Sequence, residues 1–327
     1  MKHLFCVHSN YTFLSAISVI NKRELKTEDI IFLTFRDFEI PLKEFKSIEL
    51  KQSWERKDVN YFVYLKSSII WFLWYLYNFG LKKYEAYVPS SNAYSCFLLS
   101  NISQIKKYNY LDDGMLSYRE INEPYGNVRR KTNLIVFLIM LVAGIRKGPK
   151  HYLKDTDTIF LLFDGFNKNL KNVEITKFPF LKLNKTEINK DSYILVIDDI
   201  FRSNPLNESD FINIFEQVNN KLIKLNFSKN IFYKLHPSYN YDLNLKERLN
   251  EHINVIFKEF DCNELDSNFI LESEILNKNA KFIIGLSTVG FVCYKNDVEF
   301  LSYINMYSNK NRNYPIDYVN FLSKNSL

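Results

Sequence analysis

Residues 4–35, LFCVHSNYTFLSAISVINKRELKTEDIIFLTF, decide the fold class. Leu4–Val7 is short and continuously apolar, as a buried strand should be. Polar His8, Ser9 and Asn10 follow. From Thr12 to Asn21 the apolar residues then recur at helical spacing. Ile30–Phe35 returns to an unbroken run of β-branched and aromatic residues. Strand, helix and strand in this order form a βαβ unit, whose crossover sets the two strands parallel.

The same alternation continues outward. Tyr84–Val88, Ile105–Leu111 and Thr158–Phe163 have strand character, and Tyr61–Asn78 and Asn92–Leu99 have helical character. Such alternation predicts a parallel sheet covered on both faces. Between residues 180 and 192 the chain turns polar, with Lys182, Asn184, Lys185, Thr186, Glu187, Asn189 and Lys190, which predicts an interdomain linker. A second α/β series follows. Its expected strands are Tyr193–Ile197, Asn230–Leu235, Val255–Phe257, Phe282–Leu286 and Val298–Ile304. Its expected helices are Glu208–Leu225, Phe269–Asn277 and a closing helix over Ile316–Ser323. The predicted division is residues 1–185, residues 190–312 and a closing segment 313–327. The expected fold is α/β, with two doubly wound, Rossmann-like domains facing across a cleft. Ligands of such sheets lie at the carboxyl ends of the strands.

Composition narrows the function. The chain has 327 residues, of which 46% are apolar, so it can bury a core in each domain. Eight Gly and eight Pro argue against low-complexity linkers, and no internal repeat is present. The net charge of +6 and the pI of about 8.8 favour anionic small partners. The basic residues are scattered with no dense arm, which speaks against nucleic acid as a partner. Cys6, Cys96, Cys262 and Cys293 form no CxxC pair and join no His cluster, so reduced thiols and no structural zinc are expected. The first residues lack a secretory signal pattern, which sets the expected location in the cytoplasm. Leu134–Val142, after Arg129, Arg130 and Lys131, and Ile69–Phe79 are strongly apolar. Both fall short of the roughly 20 residues that cross a bilayer. Core helices are expected, with peripheral contact at the inner membrane face as the alternative.

Four short stretches carry chemistry. Tyr110-Leu111-Asp112-Asp113-Gly114 ends a strand with two carboxylates on a sharp turn, where one can act as a general base. An ordinary Asp-Gly turn is the plainer alternative. Lys234-Leu235-His236-Pro237-Ser238 ends another strand, and Pro237 restrains the backbone beside His236. An imidazole there can donate to a phosphate oxygen. Gly285-Leu286-Ser287-Thr288-Val289-Gly290 leads from a strand into a helix, a setting for an anion or for a simple N-cap by Ser287. Glu272, in Leu271–Leu276, offers a carboxylate to ribose hydroxyls or belongs to a solvated helix face.

The order of these stretches resembles that of the bacterial sialyltransferases: an acidic-acidic-Gly turn, then His-Pro, then a Glu-bearing segment, then Ser-Thr. The sequence is most similar to glycosyltransferase family 52, the lipooligosaccharide sialyltransferases, and is related in pattern to polysialyltransferase family 38 and to family 80. His8-Ser9-Asn10-Tyr11 and the stretch from Arg130 through His151-Tyr152 to Thr158-Ile159-Phe160 add to the likeness. The resemblance implies a GT-B fold and an inverting transfer of sialic acid from CMP-sialic acid to a galactose-type acceptor of a surface glycan. It implies no metal or other cofactor. It assigns the catalytic base to Asp112, with Asp113 and Gly114 as the supporting turn. It places His236, positioned by Pro237, at the CMP phosphate. Ser287 and Thr288 would hold that phosphate, and Glu272 the nucleoside. The acceptor and the base would then belong to the first domain, and CMP to the second. The membrane anchor of some family 52 members has no counterpart here. Oligomerisation, linkage and acceptor identity stay open.

Three rivals remain at this stage. Asp198-Asp199 suggests a metal-dependent transferase. A GT-B transferase of another nucleotide sugar would use a pyrophosphate loop. A carbohydrate-binding assembly protein would need no catalysis.

Overall fold

The computed structural model describes residues 1–35, 38–50, 70–71, 73–89, 96, 99, 102, 104–118, 157–164, 172–179, 181, 188, 192–198, 207–227, 230–266, 269–277, 280–285, 287–306, 320 and 322–325. Arg129–Lys131, Leu134–Val142, His151, Tyr152, Asp199 and most of Tyr61–Asn78 and Asn92–Leu99 lie outside them. The chain divides into two compact units, Met1–Pro179 and Phe180–Leu327.

Among the described residues the first unit holds seven parallel strands: β1 (Lys2–Val7), β2 (Ile30–Thr34), β3 (Lys46–Glu49), β4 (Tyr84–Val88), β5 (Ile105–Leu111), β6 (Ile159–Leu161) and β7 (Val173–Ile175). Their order is β3-β2-β1-β4-β5-β6-β7, and every pairing is parallel. The strand order reverses between β1 and β4. Helix α1 (Asn10–Lys22) crosses from β1 to β2. Ser9 caps it: its Oγ accepts from Thr12 N at 3.2 Å, and Thr12 Oγ1 accepts from Ser9 N at 3.1 Å. On the other side of the sheet a helical segment through residues 71–79 buries Trp71, Tyr75 and Phe79, spaced by four. Burying each such aromatic contributes about 1.5–3 kcal/mol. The same helix leaves Leu73 and Tyr77 exposed on its outer face.

Among the described residues the second unit holds five strands: β8 (Tyr193–Ile197), β9 (Asn230–Leu235), β10 (Asp261–Glu264), β11 (Lys281–Ile284) and β12 (Phe300–Ser302). Their order is β10-β9-β8-β11-β12, again all parallel, with the reversal between β8 and β11. The helices are α2 (Glu208–Lys224), α3 (Leu243–Ile256), α4 (Leu271–Asn277) and α5 (Thr288–Lys295). Phe211, Phe215 and Val218 on α2 pack with Leu249 and Ile253 on α3 over the sheet. Both units are therefore doubly wound parallel α/β sheets, as the alternation predicts. None of the four cysteines forms a disulfide. Among the described residues no helix is long and apolar enough to cross a membrane.

Two local expectations are corrected. Val255–Phe257 is not a strand: Val255 and Ile256 end α3 and Phe257 caps it, because Leu249, Ile253 and Ile256 face the core at helical spacing. The strand that follows is the polar β10, Asp-Cys-Asn-Glu. The last strand is shorter than Val298–Ile304, since Ile304–Met306 closes into a 3-10 turn.

Candidate active site

The acidic turn stands at the carboxyl end of β5. Gly114 has φ of 74°, in the left-handed region that an L side chain resists, so glycine permits the turn there. Asp112 is completely buried. Its Oδ1 accepts from Gly114 N at 2.9 Å, and its Oδ2 accepts from Leu162 N at 2.9 Å and from the Tyr118 hydroxyl. The Leu162 bond ties the end of β5 to the end of β6. Burial raises the Asp112 carboxyl to about 6, although these three donors work to lower it. The Tyr11 hydroxyl on α1 lies near the same carboxylate without a hydrogen bond of standard geometry. Burial first, and then the charge of Asp112, raise its pKa.

Asp113 points the other way. Its main-chain N–H donates to Ser117 Oγ at 2.7 Å, and Ser117 Oγ shares a hydrogen bond with the Tyr110 hydroxyl at 2.8 Å. Its Oδ1 lies 3.4 Å from His8 Nε2. His8 follows β1 directly, and its ring stacks on Phe35 at 4.9 Å between centroids. Strand β4 runs between β1 and β5, so the His8–Asp113 pair bridges the crevice at the point where the strand order reverses. Binding sites of doubly wound sheets favour this position. Residue-type reasoning did not select His8 as a site residue. The signal that could have found it is the one used for the other candidates, a polar residue immediately after a strand.

In the second unit, His236 is exposed at the carboxyl end of β9. Its N–H donates to Ile197 O at 2.9 Å, and its carbonyl accepts from Tyr239 N at 3.0 Å. Pro237 opens the 3-10 turn Pro237–Tyr241. The Tyr239 hydroxyl then donates to Asp198 O at 2.9 Å, fastening this turn to the end of β8. Ser287 caps α5 and its Oγ accepts from Gly290 N at 3.2 Å, with Thr288 as the first helical residue. Between β8 and β11 a Cβ on Gly285 would stand 2.7 Å from Asp198 Oδ2 and from the Tyr303 ring, so backbone and carboxylate approach closely there. His236, Asp198 and Ser287 thus follow three neighbouring strands, β9, β8 and β11, at one edge of the sheet.

Glu272 behaves differently. It is buried on α4, and burial raises its pKa, with the Lys234 ammonium opposing. Lys234 is itself buried, and burial lowers it to about 8. Its ammonium donates to Asp266 O at 3.2 Å and to Phe269 O, pinning the segment that leads into α4. Beside it a small pocket opens between Pro237, Asn240, Lys246 and Leu265. Among the described residues no group of three His, Cys, Asp or Glu side chains converges as metal ligands would.

No family model and no curated protein matches the sequence. Solved structures do. The chain is similar to UDP-GlcNAc 2-epimerase from Methanocaldococcus jannaschii, at 12% identity and a TM-score of 0.47, over 92% of this chain and 83% of that one. It is similar to MurG from Acinetobacter baumannii, at 10% identity and a TM-score of 0.41, over 99% and 83%. It is similar to a glycosyltransferase from Rickettsia africae, at 12% identity and a TM-score of 0.41, over 92% and 78%.

Proposed function

We propose that the protein is a GT-B glycosyltransferase that moves sialic acid from CMP-sialic acid to a galactose-type acceptor of a surface glycan, with inversion and without a metal ion. The observation that carries this reading is positional. The acidic turn, His236 and the Ser287 cap each follow a strand at its carboxyl end, Ser287 on a strand bordering the reversal of its sheet's order and the other two one strand away from theirs. These residue types match the tasks of sialyl transfer. The acidic turn takes the acceptor proton. His236 donates to the departing phosphate. Ser287, Thr288 and the start of α5 hold that phosphate. Glu272, buried beside Lys234, shapes the nucleoside pocket. The exposed Leu73 and Tyr77, near Lys82 and Lys83, suit peripheral contact with an anionic membrane at its cytoplasmic face.

The test is donor and nucleotide choice. Purified protein is incubated with CMP-sialic acid and a panel of galactosides in excess EDTA, and transfer and CMP release are followed. Transfer is expected, and calorimetric titration should rank CMP above UDP and GDP. Equal affinity for UDP, or transfer only from a UDP-sugar, overturns the reading.

A further inference from the structure

We infer that the outer face of the helical segment through residues 70–79, with the lysines at the neighbouring edge of the first sheet, is the surface that docks on a bilayer rich in anionic lipid. This rests on the peripheral contact proposed above and names the residues that make it. The sequence from Ser67 to Leu81, SSIIWFLWYLYNFGL, holds no charged residue. A helix lying on a sheet ordinarily buries one apolar stripe and turns polar residues outward. This helix buries Trp71, Tyr75 and Phe79 and leaves Ile70, Leu73 and Tyr77 44%, 58% and 90% exposed. Spacings of three and four put the exposed residues on one side of the helix, opposite the buried ones. Gly80, with φ of 61°, ends the helix by donating its N–H to Leu76 O at 2.8 Å. Leu81 continues the apolar row beyond it and is also exposed.

Charge selects the occupant. Lys82 and Lys83 follow at once and are exposed where the chain enters β4. Lys106 and Lys107 are exposed at the start of β5, which pairs with β4 through Ile105 and Tyr84. Neighbouring strands lie about 4.8 Å apart, so four lysines border the C-terminal end of the apolar row. Of the acids at the same edge, Glu85 is buried against Arg23, and Asp157 accepts from Tyr108 N at 2.6 Å. Glu24, Glu28 and Asp29 precede β2, two strands away from β4. An apolar row edged with lysine fits a bilayer that carries negative headgroups. Ile70, Leu73 and Leu81 enter the acyl boundary, the Tyr77 ring sits at headgroup depth, and the lysines meet lipid phosphate. A second copy of the chain would set the same lysines against each other, which opposes pairing through this face.

The experiment floats the full chain with phosphatidylcholine vesicles made with and without phosphatidylglycerol, at low and high salt, with no donor or acceptor present. Binding is expected to the anionic vesicles and should weaken as salt screens the lysines. Leu73→Ser and Tyr77→Ser should each lower the partition constant about tenfold. Lys82→Gln, Lys83→Gln and Lys107→Gln should lower it about fivefold each and flatten the salt dependence. All five side chains are exposed, so thermal midpoints should stay at the wild-type value. Val255→Ser removes an exposed apolar side chain from α3 in the second unit and should bind as the wild type does. A wild type that ignores anionic vesicles overturns the inference. So does binding that survives Leu73→Ser and Tyr77→Ser together, or that falls equally in Val255→Ser. Dimers in sedimentation that Leu73→Ser dissociates would give the face to a second copy and overturn the lipid assignment. A wild type that floats with anionic vesicles yet transfers no sialic acid refutes the transferase reading and leaves the docking surface standing.

Discussion

Glu85 and Asp112 are buried carboxylates on neighbouring strands of one sheet, and their surroundings are opposite. Glu85 lies near the amino end of β4. Arg23, from the C-terminal end of α1, donates to its Oε1 at 2.6 Å, and Asn109 donates to the same oxygen at 2.8 Å. Burial works to raise its pKa, but these donors and the Arg23 charge hold it below the ordinary value. Asp112, at the carboxyl end of β5, receives hydrogen bonds from neutral donors, and burial prevails in raising its pKa. The amino edge neutralises its acid with a cation from α1. The carboxyl edge sets the His8 ring beside the second acid, Asp113, with Nε2 3.4 Å from Oδ1. One edge pairs its buried acid with a guanidinium, and the other surrounds its buried acid with neutral donors.

The largest effect should come from making the amino edge resemble the carboxyl edge. Arg23→Met leaves Glu85 buried without its cation and removes the guanidinium from the Phe160 ring, 4.6 Å away. The expected loss is about 2–4 kcal/mol near neutral pH, somewhat below the roughly 3–5 kcal/mol for a fully buried pair because the Arg23 side chain stays 24% exposed. The sign with pH is determined by the lowered pKa of Glu85. Its stabilisation is present above the unfolded carboxylate range, about 4.3, and is lost as pH falls through the folded value. The gap between wild type and variant should therefore close toward acid. Urea melts across pH 3.5–7.5 check this, and a gap constant with pH would break the contrast.

The second effect runs the other way in pH. The raised pKa of Asp112 means that the folded state holds its proton longer than the unfolded chain does. This contribution is complete below about 4, the unfolded value, and is lost as pH rises toward about 6. Asp112→Asn removes the titration and turns an amide donor toward a main-chain N–H, at a cost of about 1–3 kcal/mol. The variant should be least stable relative to wild type near pH 4 and should approach it by pH 7. A gap that widens with pH would mean that Asp112 is stabilised as the anion.

The alternation that carries the fold was legible because the central strands are buried on both faces and must be apolar. Ile30–Thr34 and Tyr193–Ile197 need no context to read as strands. The edge strands β3, β7 and β10 are not legible because they are largely open to water, and Lys46–Glu49 or Asp261–Glu264 carries no apolar pattern. Helix α3 escaped for a related reason: it opens Leu-Asn-Leu-Lys-Glu, and its buried positions become clear only against α2 and the sheet. In the site, strand ends pointed to Asp112, Asp113, His236 and Ser287. The distinction within the acidic pair was beyond reach. Two adjacent aspartates look alike until Tyr118 and Leu162, six and fifty residues away, are seen to close over the first. In the sequence Glu272 reads as a solvent-facing acid or a ribose contact. Its burial against Lys234 depends on a residue four positions into another strand.

The smallest effect extends the comparison to the carboxyl edges of the two sheets. Ser9 and Ser287 both cap the helix that follows a strand bordering a reversal point, α1 after β1 and α5 after β11. Each caps by accepting one main-chain N–H at 3.2 Å. Removing either oxygen should cost about 1 kcal/mol of stability, the usual worth of an N-cap serine. The two sites differ in what else surrounds the hydroxyl. Ser9 is enclosed in a reciprocal box with Thr12, whose Oγ1 also accepts from His8 N at 3.0 Å. Ser287 has no such box: Gly290 stands at the third helical position, where Thr12 stands in α1, and glycine offers no side chain to reach back. On the proposed function, the Ser287 edge is the one that meets the phosphate. Ser9→Ala and Ser287→Ala should lose similar stability in urea melts, while only Ser287→Ala weakens CMP binding in calorimetric titration. Equal weakening by both would remove the distinction between the two edges and, with it, the assignment of the phosphate to the second unit.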